Sequence, residues 1–143
     1  MTFAGMSYWA VLIAAIVSYV FGSVYYMGLA RPWMEAVGWS PEQKAAQMGG
    51  RKMDPVPFVV AFVAQLVMAW VLAGIIGHLG PGQVTLRNGL ISGFFIWFGF
   101  VLTSLATNHG FGRQRPLLTV IDGAHWLGVL LLQGAVIGAW GVR

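Results

Sequence analysis

Asp122 is the residue whose type and setting in this chain most strongly suggest chemistry. It follows Pro116 by six residues inside an otherwise uncharged apolar segment, so it lies about 9 Å along a helix from that proline. An ionisable residue at such a depth in a membrane is costly, and it usually faces the bundle interior or a water-filled cavity. Its carboxyl group could therefore serve as a proton or ion relay, or as a ligand contact.

Polar side chains share the predicted helix face of Asp122. His125 follows three residues later and Gln133 eleven residues later, which places both on one stripe. A structural role fits the same stripe, because hydrogen bonds between transmembrane helices are ordinary packing contacts. Arg113 or Arg115 could also reach the carboxylate and neutralise it. The pattern leaves a functional site and a structural cluster open.

Other polar residues fall near this stripe. Asn108 and His109 end the preceding apolar segment at the level of Asp122. His109, Asp122 and His125 then form a possible His/Asp/His set beside Asn108. Zinc or iron accepts such ligands, but the spacing matches no known metal motif, so we predict neither metal nor cofactor. Gln65, near mid-membrane, either extends the polar line or bonds across helices. The candidate functional cluster is Asp122, His125, Asn108, His109, Gln133 and Gln65.

Four apolar segments must position these residues. The 143-residue chain is 58% hydrophobic and only 8% charged, whereas soluble domains are about 25% charged. Each segment is long enough to cross a bilayer, and the first lacks the basic start of a signal peptide. We predict an all-α membrane protein: a single transmembrane domain, 1–143, forming an antiparallel bundle of four transmembrane helices at about 7–29, 56–79, 86–108 and 116–140.

The loop at 31–54 is predicted to contain a short interfacial helix. Ser40 and Gln43 have the spacing of a capping box around a first-turn proline. Trp33 and Trp39 are expected to dip into the head-group region, where tryptophan is enriched.

Basic residues indicate the orientation of the bundle. Four crossings place both termini and the turn at 80–87 on one side, which carries two basic residues, Arg87 and Arg143. The other side carries six: Arg31, Lys44, Arg51, Lys52, Arg113 and Arg115. The positive-inside rule predicts that both termini face outward across a bacterial inner membrane. The net charge of +4 then meets lipid head groups, and no nucleic acid partner is predicted.

Small-residue spacing and missing motifs narrow the function classes. Gly89 and Gly93, like Gly134 and Gly138, are four residues apart and allow close helix contact. That contact could lie within one chain or between two copies. The chain has no cysteine, no phosphate-binding loop and neither H-E-x-x-H nor G-x-S-x-G. An enzyme is therefore not predicted.

Three passages carry a family resemblance: GSVYYMGLARPWMEAVG, SLATNHGFGRQRPLLTVIDGAHWLG and GAVIGAW. With them the chain resembles the bacterial domain-of-unknown-function family 1761, whose members are small four-helix membrane proteins. The resemblance implies an architecture but no activity. The aromatic pair of the family pattern and its later tryptophan are matched by Tyr25, Tyr26 and Trp33. The asparagine is matched by Asn108, and the acid followed by histidine by Asp122 and His125. His109 departs from the family pattern, which speaks against a family-wide metal role for it.

The expected function is that of a non-enzymatic polytopic membrane protein, an oligomer or an accessory subunit of a membrane complex. Its expected partners are the lipid bilayer and either further copies or other membrane subunits. The alternative is a small transporter or channel in which Asp122 and His125 relay protons or ions. Four short helices enclose little space, so that alternative would require an oligomer.

Overall fold

The computed structural model describes residues 2–3, 5–48 and 54–141 of the protein. Two-residue strands β1 (Thr2–Phe3) and β2 (Met6–Ser7) pair antiparallel at the start of the chain. The helices that follow are α1 (Tyr8–Gly28), α2 (Ala30–Val37), α3 (Pro41–Met48), α4 (Val56–Gly77), α5 (Leu86–Ile96), a π-helix (Trp97–Leu102), α6 (Thr103–Phe111) and α7 (Pro116–Trp140).

Four helical spans are long and apolar enough to cross a membrane: Tyr8–Gly28, Val56–Gly77, Leu86–Phe111 and Pro116–Trp140. This confirms the all-α fold with four membrane-length helices. The bounds of the fourth span are those predicted, and the others differ by at most three residues, with the third span extending to Phe111 instead of 108. Such helices are apolar on nearly every side because lipid covers the faces that protein does not. The chain is a multi-pass membrane protein.

The third span contains a π-helix that the sequence analysis did not predict. The hydroxyl groups of Thr103 and Ser104 donate to the carbonyl oxygens of Gly99 and Phe100, at 2.9 and 2.5 Å. Hydroxyl groups from the turn that follows thus bond to carbonyl groups inside the π-helix. Periodicity of apolar residues does not reveal such a turn, since every position around it is apolar or small.

Helix α7 lies at the centre of the bundle and crosses α5 at backbone contact distance. A methyl group on Gly93 would lie 2.6 Å from the Leu130 carbonyl oxygen, and Gly89 faces the Gly134 backbone directly. Gly138 in turn faces the carbonyl group of Thr85. The glycine spacing therefore serves packing within the chain. The sequence left open whether these glycines pack within one chain or between two copies, and the structure shows the contact within one chain.

The register of the helices follows from their cross-contacts. Tyr25 of α1 donates to the Ile121 carbonyl oxygen of α7 at 2.7 Å, while Ser18, two turns earlier, meets Gln133. The order of these pairs makes α1 and α7 antiparallel. The ends of α1 and α6 and the starts of α4 and α7 consequently lie at the same end of the bundle, beside α2.

The predicted loop helix exists, preceded by a helix that was missed. The capping box at α3 is confirmed: Ser40 N donates to Gln43 Oε1 at 2.8 Å, and Gln43 N donates to Ser40 Oγ at 3.2 Å. The first-turn position of Glu42 lowers the pKa of its carboxyl group through its own backbone amide and the Ser40 hydroxyl. Helix α2 was not predicted because, unlike α3, it begins without a capping side chain, directly after α1; it ends at Val37, before Gly38, whose φ is 84°.

Candidate functional site

A cleft opens at the end of the bundle where α2 lies, between α1, α2, α4 and α7. It consists of two adjoining cavities of about 640 and 480 Å³. The two cavities share their central walls, which are formed by Tyr26, Ala30, Met34, Pro57, Phe58 and Trp126. His125 and Gln65 line the larger cavity, and Asp122 lines the smaller one. We call this combined space the cleft.

Asp122 points towards α1 and α6. Its Oδ1 accepts a hydrogen bond from the Tyr26 hydroxyl at 2.7 Å, and its Oδ2 lies 3.8 Å from His109 Nε2. The sequence predicts an inward-facing carboxylate near His125 or Asn108. The inward orientation is confirmed, but the polar atoms in closest contact come from Tyr26 and His109.

The neighbours of Asp122 on α6 and in the last loop have other partners. His109 Nδ1 lies 2.9 Å from Thr119 Oγ1, which ties the end of α6 to the first turns of α7. The side chain of Asn108 is exposed. Arg115, a candidate for neutralising the carboxylate, instead donates from Nη1 to the Glu35 carbonyl oxygen at 2.9 Å. No ion pair joins Asp122 to an arginine within the described residues.

His125 is enclosed by aromatic rings and is 4% exposed. Its ring centroid lies 4.7 Å from that of Tyr26 and 4.6 Å from that of Trp126, and it stacks on Phe21 at 6.2 Å. Gly22 makes room for this ring, since a methyl group there would lie 2.7 Å from His125 Nε2. Nδ1 is buried without a hydrogen-bond partner. His125 is thus a wall of the cleft and forms no hydrogen bond to Asp122.

Gln65 and Gln133 lie deeper and bond across helices. Gln133 Nε2 donates to Ser18 Oγ and to the Gln65 carbonyl oxygen, both at 3.0 Å, and Ser18 Oγ lies 2.8 Å from Gln65 Oε1. These three buried residues join α7, α1 and α4 below the cleft. Gln133 Oε1 is buried without a partner. Gln65 thus bonds across helices and also lines the larger cavity together with His125.

An aromatic wall runs along the cleft from the loop into the bundle. Trp39 and Trp33 meet edge to face at 5.2 Å, and Trp33 meets Tyr26 edge to face at 6.4 Å. Tyr26 then contacts His125, which contacts Trp126. We call these five residues the aromatic wall. Trp33 and Trp39, expected as interfacial anchors, line the smaller cavity with Tyr26. The predicted cluster contained none of these three residues.

The possible His/Asp/His set does not form a metal site. Across residues 2–3, 5–48 and 54–141, no group of three histidine, cysteine, aspartate or glutamate side chains is placed to hold an ion. His109 approaches Asp122 from α6, whereas His125 lies on the cleft side among aromatic rings.

Comparison with known proteins places this architecture in a family. The family model described as "Protein of unknown function (DUF1761)" matches residues 9–138. The chain belongs to the DUF1761 family. No curated protein and no solved structure matches it. The matched range of this DUF1761 protein includes the whole aromatic wall as well as Asp122, so the cleft lies within the family domain.

Proposed function

We propose that this DUF1761 protein is a non-enzymatic membrane protein that binds an amphiphilic small molecule in the cleft. The observation that carries the proposal is the cleft itself, whose cavities of about 640 and 480 Å³ are lined mostly by apolar and aromatic side chains. Sites for small molecules have this size and this mixture, with a few polar groups that fix orientation. Asp122 and His125 are such groups.

The polar groups of the cleft are arranged for binding more than for bond cleavage. Ser23 lines the larger cavity, but its hydroxyl donates to the Tyr19 carbonyl oxygen at 3.0 Å and not to a base. Asp122 accepts from Tyr26, which orients the carboxylate without activating a nucleophile. A molecule with an apolar body and a polar head fits this cleft, because the Asp122 carboxylate lines the smaller cavity and the larger cavity is mostly apolar.

Binding is testable with a neutral amphiphile that carries bromine on its alkyl chain, because bromine quenches nearby tryptophan fluorescence. In purified protein we expect a saturable component of quenching from Trp33, Trp39 and Trp126, which line the cleft. Ala30→Leu fills the space between the cavities and should weaken that binding about tenfold, since roughly 1.4 kcal/mol of lost contact gives that factor.

Ala106→Leu is the matched control, because Ala106 is exposed on α6 and lines neither cavity. It should bind the brominated amphiphile as the unsubstituted protein does. Equal affinities in all three proteins, or quenching that never saturates, would contradict binding in the cleft.

The roles expected from the sequence are supported less directly. A relay through Asp122 and His125 would run between two groups that share no hydrogen bond. An oligomeric or accessory-subunit role stays a second proposal, because the third span is the least buried of the four and leaves a broad face for another helix. The glycine pairs give it no support, since they pack within the chain. The particle mass in lipid nanodiscs decides this question.

We further propose a bacterial inner membrane location with both termini outside and the cleft at the cytoplasmic end. Arg31, Lys44, Arg113 and Arg115 lie at the cleft end and Arg87 at the other, a bias that favours the cleft end inside. Arg51, Lys52 and Arg143, which complete the sequence-based comparison, lie outside the described residues.

Fusion of a reporter to the carboxyl terminus tests this orientation. Alkaline phosphatase folds only in the periplasm, so its fusion to the carboxyl terminus should be active. A green fluorescent protein fusion at the same point should stay dark. The opposite pair of results would reverse the orientation.

A further inference from the structure

Asp122 gives the cleft one negative charge that the protein leaves partly unpaired. It is the only charged side chain lining either cavity in the part of the chain that the structure describes. Oδ1 is held by Tyr26 at 2.7 Å, whereas Oδ2 lies 3.8 Å from His109 Nε2, too far for a hydrogen bond. The side chain is 17% exposed, so a bound molecule can reach it.

No arginine or lysine of the described residues lines the cleft to balance this charge, and the His109 ring lies 3.8 Å from the carboxylate on the α6 side. Arg115 is turned away to the Glu35 carbonyl oxygen on α2. A carboxylate held at the edge of a poorly hydrated space favours a cation, since charges removed from water need a partner. The charge complement of the cleft is therefore a single positive charge.

The aromatic wall specifies what kind of cation fits. Trp33 stands at 81° both to Trp39 and to Tyr26, so neighbouring rings present faces in perpendicular directions. Phe58 and Trp126 line the same cavity from α4 and α7. A cation set over such ring faces is attracted by their quadrupoles, and alkylated ammonium groups are the ligands that use this contact best.

We propose that the cleft binds a monovalent lipophilic organic cation, with its alkylated ammonium group between Asp122 and the aromatic rings of Tyr26, Trp33 and Trp39. The inference rests on the proposed function and adds the charge class of the ligand. A metal cation would require several oxygen ligands, and the smaller cavity offers one carboxylate.

A phospholipid head group is not the occupant. Its phosphate would place a second negative charge near Asp122, and neither cavity has an arginine or lysine in its described lining to receive it. The apolar walls of the larger cavity, including Met27, Phe58 and Ala61, suit the alkyl or aryl body of the cation.

Four decyl amphiphiles with brominated chains test the charge class on the purified full chain. Their heads are trimethylammonium, neutral N-methylglucamide, zwitterionic phosphocholine and anionic sulfate. We expect the trimethylammonium compound to bind on the order of tenfold tighter than the neutral one, the size of one desolvated cation–π or charge contact. Sulfate and phosphocholine should bind no better than the neutral head.

Asp122→Asn removes the charge but keeps an oxygen that can accept from Tyr26. It should abolish the preference for the cation over the neutral head, and Trp33→Leu should reduce that preference. Asp54→Asn is the matched control, because Asp54 receives the Val56 amide at 3.0 Å at the start of α4 and lines neither cavity. Thermal unfolding of each variant checks that it is folded.

The outcomes separate this inference from the proposed function. Equal binding of cationic and neutral heads would overturn the cation class and leave amphiphile binding intact. The absence of saturable binding by all four would overturn both. Phosphocholine binding as tightly as trimethylammonium would assign the cleft to a lipid head group instead. A cation preference that survives Asp122→Asn would show that the carboxylate is not the counter-ion.

Discussion

Replacing Gly134 with alanine should force α5 and α7 apart and lower the stability of the bundle by about 1–3 kcal/mol, the usual cost of overpacking. A methyl group at this position would run into the backbone carbonyl of Gly89. Backbone atoms cannot turn aside as a flexible side chain can, so the helices themselves must shift. Because α7 also contacts α1 and α4, the displacement should disturb the whole structure. Thermal unfolding in a mild detergent measures the loss.

Gly110→Ala is the control for this substitution. Gly110 lies in α6, and a methyl group there would meet nothing within 4 Å, while alanine favours a helix over glycine by up to about 1 kcal/mol. Its melting temperature should equal or exceed that of the unsubstituted protein. Combining Gly89→Ala with Gly134→Ala should cost less than the sum of the two, since the first already separates the helices. Equal melting temperatures for Gly134→Ala and Gly110→Ala would contradict backbone contact at this crossing.

The fold was largely predictable because lipid imposes a simple rule on sequence. Uncharged stretches of about 20 residues must be helices, and the proline at residue 116 gave the start of α7 correctly. The π-helix at Trp97–Leu102 was not predictable in this way, since the wider turn brings no change in hydropathy. Helix α2 was missed because no side chain caps its start at Leu29, whereas Ser40 marks the start of α3.

The candidate site was predicted only in part. Asp122 and His125 stood out because charge and imidazole are rare inside membrane spans, but their partners depend on how helices rotate against one another. In the sequence Tyr26 was notable through the family resemblance, and only the α1–α7 register shows its hydroxyl on the carboxylate. Trp33 reaches the same cavity through α2, an element that the sequence analysis lacked.

Asp122→Leu should destabilise the packed bundle by about 1–3 kcal/mol, the cost of leaving a buried hydrogen-bonding group unpaired. The substitution removes the acceptor of the Tyr26 hydroxyl, which lies 2.7 Å from Oδ1. Leucine costs far less free energy in lipid than aspartate does, but this gain is at least as large when the helices are separated. The substitution therefore removes a reason for α7 to turn this face inward. The net effect on helix association is therefore a loss, measurable as a lower melting temperature in detergent.

Asp122→Asn separates the hydrogen bond from the charge, because its amide oxygen can still accept from Tyr26. It should melt close to the unsubstituted protein, whereas Tyr26→Phe should show a loss similar to that of Asp122→Leu. Since both variants remove one and the same bond, the double variant Tyr26→Phe with Asp122→Leu should lose clearly less than the sum of the two. Fully additive losses would mean that the Tyr26–Asp122 bond does not hold α1 against α7, and that Asp122 contributes to stability through some other contact.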